Sequence, residues 1–124
     1  IDGQYRRAEI YIKDYQKYTF KMQNPDGSFS TRFFSGRGAA NDPDRRLLTT
    51  GHISEWLAFS LKRDELTDPR MVRAVDYLAS LLLRGKYPGW KVGPLGHALH
   101  AINIYHDRVF KDAVNSPVVA SRPR

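Results

Sequence analysis

Apolar residues recur at helical spacing in four stretches of this chain, with turn chemistry between them. Over residues 4–22, Ala8, Tyr11, Tyr15, Tyr18 and Met22 fall three and four apart, which predicts a first helix with one apolar stripe. Lys13, Lys17 and Lys21 lie on another face, and Glu9 precedes Lys13 by four residues, the favourable order for a helix ion pair. A row of tyrosines can stack bases or sugars. Packing against a second helix is the expected use, because tyrosine buries its ring and leaves its hydroxyl at the edge. Pro25 cannot continue the helix and Asp26-Gly27 is strong turn chemistry, so the stretch from Gln23 to Phe29 ends it. Residues 30–48, with Gly36, Gly38, Asn41 and Pro43, read as a long loop.

Thr49 or Thr50 is placed to cap a second helix over about residues 51–62, with Ile53, Trp56, Leu57, Ser60 and Leu61 on its buried face. Asp68 and Pro69 mark a clean start for a third. Met71, Ala74, Val75, Leu78, Leu81 and Leu82 form its apolar side, and Arg84-Gly85-Lys86 ends it. Beyond the turn Tyr87-Pro88-Gly89-Trp90 and the breaker Gly93-Pro94, a fourth helix is expected from about Leu95 to Phe110, with Ala98, Ala101, Ile102, Tyr105 and Val109 inward. The pattern predicts an all-α chain. A helical-hairpin domain covers 1–112, with a long loop at 30–48, and residues 113–124 form a loose tail.

The second and fourth helices align at a constant offset. Gly51 matches Gly96, His52 matches His97 and Glu55 matches His100. The first and third align less well, through Asp14-Tyr15 and Asp76-Tyr77. Each unit is therefore helix, turn, helix, and neighbouring hairpins of this kind bury each other in an array. Two hairpins are few for such an array. The remaining hairpins of a longer parent, or a homo-oligomer, are expected to complete it, and the opening Ile1-Asp2-Gly3 fits a piece of a longer chain.

Composition narrows the chemistry. The 124 residues carry 20 basic against 13 acidic side chains, a net charge of +7. An excess of positive charge favours anionic partners. Here the basic residues are scattered without a dense run, which argues for a solvated surface rather than a nucleic-acid face; a basic helical-repeat module acting on an acidic partner is one reading. The absence of cysteine excludes disulfides, thiolate metal sites and a cysteine nucleophile. No apolar run approaches the ~20 residues that span a bilayer, so no membrane span is expected.

The candidate chemistry sits on the second and fourth helices. His52 and Glu55 are three apart and share a face, as do His97 and His100. Placed in a first turn, His52 would feel the partial positive charge of the helix end and stay neutral, the form that a base or ligand needs. If the two helix starts adjoin, these four side chains can do acid–base work, hold a divalent metal of zinc type, or simply cap and pack. The sequence requires no cofactor. Trp56 reads as core, whereas Trp90 in a turn can meet a ligand such as a carbohydrate. Arg45 and Arg46, with Arg32 and Arg37, can hold an anion in the long loop.

The run Gln23-x-x-Asp26-Gly27-Ser28-Phe29 resembles the Gln-x-x-x-Gly-x-Trp repeat of the prenyltransferase and squalene-cyclase group, an α/α toroid of helical hairpins. Together with Thr49-Thr50-Gly51-His52-x-x-Glu55-Trp56-Leu57 and Gly93-Pro94-Leu95-Gly96-His97-Ala98-Leu99-His100-Ala101, it also resembles an uncharacterised bacterial family of that fold over about residues 5–110. The resemblance implies a bacterial origin, outer first and third helices, and inner second and fourth helices whose starts adjoin the toroid's central cavity. The enzymes' own chemistry does not carry over, since this chain has neither an Asp-x-Asp-Asp pattern nor cysteine. Gly51-His52-x-x-Glu55-Trp56 is also similar to a motif of the N-acylglucosamine 2-epimerase and mannose isomerase group. That similarity implies proton transfer at a sugar carbon by His52, with Glu55 lining the pocket and His97 or His100 as the second histidine.

Overall fold

The computed structural model describes residues 2–29, 43–84 and 91–111. Among these the backbone forms four α-helices and no strand, as the apolar periodicity predicts: α1 (Asp2–Lys21), α2 (Pro43–Ser60), α3 (Pro69–Arg84) and α4 (Val92–His106). A 3-10 turn at Arg63–Glu65 leads from α2 to α3, and α4 runs on into a π turn at Asp107–Lys111. The predicted tail at 113–124, most of the predicted loop, Arg32, Arg37 and Trp90 lie outside the described residues. None of the described helices is long and apolar enough to cross a membrane.

Local chemistry accounts for several helix ends. Asp68 Oδ1 accepts the backbone N–H of Arg70 at 2.9 Å, and Pro69 occupies the first helical position, where its missing N–H has no intrahelical use. Gly93-Pro94 does not delay α4, which starts at Val92. Pro94 falls in the first turn, whose N–H groups are unpaired in any helix. At the far end of α2, the guanidinium of Arg108 donates from Nη1 to the carbonyls of Ala58 (2.8 Å) and Leu61 (2.7 Å). It thereby satisfies acceptors that a helix C-terminus leaves open.

Two expectations are overturned. The helix α2 begins at Pro43 rather than near Gly51, so residues 43–48 are helical and Arg45 and Arg46 stand on α2 instead of in a loop. Leu47, fully buried with Tyr77 and Leu78, pulls these roughly two extra turns into the core. Thr49 and Thr50 are buried mid-helix and do not cap it. Thr50 Oγ1 instead accepts the N–H of Phe29 at 3.1 Å, which ties the end of the first turn to α2.

The second correction concerns the tyrosine stripe of α1. Tyr11, Tyr15 and Tyr18 are 62%, 42% and 53% exposed, and the buried residues are Gln16, Thr19 and Phe20. Among the described residues, the buried contacts of α1 come from its last third, and Lys13 adds an ion pair to Glu65. Gln16 Nε2 donates to Ser60 Oγ at 3.0 Å, and Phe20 packs 6.5 Å from Phe29 beneath the guanidinium of Arg70. The tyrosine rings lean on one another instead, with centroids 4.8 and 6.4 Å apart.

The turn after α1 is a clamp. Gln23 Nε2 donates to the carbonyl of Gly27 (3.0 Å) and to that of Arg70 on α3 (2.8 Å). Gly27 has φ +95° and sits so close to α3 that a Cβ there would lie 2.3 Å from the carbonyl oxygen of Arg73. The core is built in two clusters. Phe20, Phe29, Leu57, Leu66 and Met71 belong to one, and Leu47, Leu78, Leu81, Ala98 and Ala101 to the other. The most extensive helix pairing joins α2 to α4, and α3 packs against both. At its tightest point Gly51 faces Ala98, with a Cβ on Gly51 only 3.2–3.3 Å from Ala98 atoms.

Candidate functional site

The close approach of Gly51 and Ala98 places the residues beside them in contact. His52 follows Gly51 and His97 precedes Ala98, and their rings lie 3.9 Å apart at 34°. One turn further along α2, Glu55 reaches across to α4. Its Oε2 lies 3.0 Å from His97 Nδ1 and 3.0 Å from His100 Nδ1, and its Oε1 lies 3.2 Å from His97 Nδ1. The three-residue spacing of His97 and His100 on α4 turns both imidazoles toward one carboxylate. All four residues expected from the sequence therefore meet. His52, Glu55 and His97 are half-buried and His100 is exposed.

The contacts also assign protons. A carboxylate accepts, so each histidine donates from Nδ1, and in its neutral form it carries a lone pair on Nε2. Burial pushes the Glu55 carboxyl up, but hydrogen bonds from His97 and His100, with their charges, outweigh it and hold the group below its ordinary value. His52 lies below its ordinary value first because of burial and then because of the His97 charge, with Glu55 opposing. The neutral His52 expected from the sequence thus has a different cause. His52 is well inside α2, and the charge of the helix end does not reach it.

These shifts predict how stability follows pH. Both folded values are lowered, so the unfolded chain binds more protons and acid destabilises the fold. The contribution of neutral His52 is complete above about pH 6.5 and is lost as pH falls through its folded value. That of ionised Glu55 is complete above about pH 4.3 and is lost on further acidification. Thermal melts should show Tm falling in two stages from neutral pH downward, with His52→Gln removing the first. An unchanged pH profile in that variant would contradict the assignment.

The zinc-type reading of His52, Glu55, His97 and His100 finds no support. Among the described residues, no group of three or more His, Cys, Asp or Glu side chains is arranged to hold a metal ion. Trp56 is half-buried against the first core cluster, as expected. Arg45 is exposed on α2, outside the cluster.

Arg46 contributes to a second feature. Its Nη1 donates to Tyr77 Oη at 3.4 Å and lies 3.8 Å from Asp26 Oδ2, in a groove of about 690 Å³. The other walls come from α3, through Arg73, Asp76, Tyr77 and Arg84. The groove's signal in the sequence is the polar recurrence of 73, 76, 80 and 84, which follows the helical period beside the apolar side of α3. Comparison with protein-family models, curated proteins and solved structures finds no match for this chain.

Proposed function

We propose that the chain is a hairpin-repeat module of α/α-toroid type whose paired helices α2 and α4 carry a site for a small hydroxylated ligand, a carbohydrate by its chemistry. The observation that supports this is Glu55 held between His97 and His100. A merely structural ion pair needs one histidine. Two imidazoles oriented by one carboxylate offer two Nε2 atoms, acceptors when neutral and donors when protonated, beside a partly accessible anion, a set that suits adjacent hydroxyl groups. The repeat supports a larger assembly. Among the described residues, a Cβ on Gly96, equivalent to Gly51, would meet nothing within 4 Å, and Val92 and Leu99 beside it are exposed. Further hairpins, from a longer parent or a second copy, would enclose the site from that side.

A second reading is proton transfer at a sugar carbon. It is favoured by the lowered pKa of His52, which leaves an unprotonated imidazole near neutrality, in contact with an oriented histidine. One experiment separates the two. The chain is titrated with mannose and with N-acetylglucosamine while imidazole resonances are followed by NMR, and the same samples are then held in D2O. Shifts at His97 and His100 that vanish in Glu55→Gln are expected. Loss of the sugar C2 proton signal would establish proton transfer, and its retention would leave a binding module. Absence of any shift, or shifts that survive Glu55→Gln, would overturn both.

A further inference from the structure

The groove beside α3 shares no residue with the histidine cluster. Its volume falls within the ~300–1,000 Å³ of small-molecule sites. The walls are positioned by firm parts of the fold. Gly27 seats the turn that carries Asp26 directly on the Arg73 carbonyl, and Tyr77 is buried with Leu47, so its hydroxyl is presented from a fixed ring.

The charges are arranged along a line. Arg46 engages Asp26 and Tyr77. Arg73 and Arg84 are exposed, and among the described residues neither makes a salt bridge to a carboxylate; Arg84 Nε donates only to the Ser80 carbonyl, at 3.3 Å. They stand eleven residues apart on one side of α3, ~16 Å along its axis. Between them lie Asp76, Tyr77 and Ser80, with Leu83 exposing apolar surface at the edge.

We infer that this groove binds an acidic oligosaccharide. Guanidinium groups pair with carboxylates through a planar two-pronged contact. Asp26 and Asp76 disfavour a dense polyanion such as a polyphosphate, and both accept hydroxyl donors. Tyr77 and Ser80 can donate or accept. A ligand that alternates carboxylates with hydroxyls along its length, and that has an apolar ring face for Leu83, matches every group in the lining. A uronic-acid oligosaccharide has that composition.

The test is calorimetric titration of the chain with trigalacturonate, maltotriose and inorganic phosphate in separate runs. Trigalacturonate should bind at one site per chain, weakened about tenfold by Arg73→Ala and by Arg84→Ala, since each removes a charge-assisted contact. Both positions are exposed, so the fold should survive, and thermal melts check that it does. Glu55→Gln should leave trigalacturonate binding unchanged, which separates this site from the histidine cluster. Equal affinity for maltotriose, equal affinity for inorganic phosphate, or undiminished binding in both arginine variants would each overturn the proposal.

Discussion

Gly27→Ala is expected to destabilise the protein by about 3 kcal/mol, the largest loss from adding one methyl group at any glycine among the described residues. Two costs add. At φ +95° an L-residue is strained whatever surrounds it, by roughly 1–2 kcal/mol. The new Cβ would also lie 2.3 Å from a backbone oxygen, that of Arg73, which cannot swing aside as a flexible side chain can. Relief would require the turn to lift off α3, and that breaks the Gln23 hydrogen bond to the Arg70 carbonyl. Urea denaturation should report the loss, and Tm should fall by roughly 15 °C. A loss below about 1 kcal/mol would mean that the turn moves freely and does not clamp α1 to α3.

Two glycines equivalent in the repeat should respond with opposite signs. Gly51→Leu should lose about 3 kcal/mol, because a bulky side chain must wedge α2 away from Ala98, where even a Cβ would be tight at 3.2–3.3 Å. The same wedge would part His52 from His97 and draw Glu55 away from both of its donors, so the imidazole resonances should shift toward those of exposed histidine. Gly96→Ala should gain about 0.5–1 kcal/mol, since no described residue stands within 4 Å of the added Cβ and alanine is the better helix former. Chemical denaturation of the two variants checks this directly. A neutral Gly51→Leu would refute the close α2–α4 crossing on which the site depends.

Much of the architecture was legible without coordinates. The Asp68-Pro69 start is written in cap chemistry, the turn at Asp26-Gly27 in backbone preference, and the apolar side of α3 in its period. The repeat that aligns Gly51-His52 with Gly96-His97 correctly singled out the four residues that meet. Errors arose where a local signal competed with a distant partner. Thr50 looks like a cap but serves Phe29, and Leu47 draws α2 back to Pro43 because Tyr77 and Leu78 wait for it. The tyrosines of α1 have the spacing of a buried stripe, and periodicity alone cannot say whether another helix arrives to cover them.

Helix identity, order and most termini follow from interactions within about four residues, and such interactions can be read from neighbours in the chain. The proton arrangement at Glu55, the cause of the His52 shift, the Arg108 seal on α2 and the groove between Arg46 and Arg84 depend on residues tens of positions apart. The first three need α2 and α4 to close at Gly51, and the groove needs α3 and the Asp26 turn to meet α2. Which faces meet is decided by the packing of the whole core, in which burial is non-directional and many local choices compete.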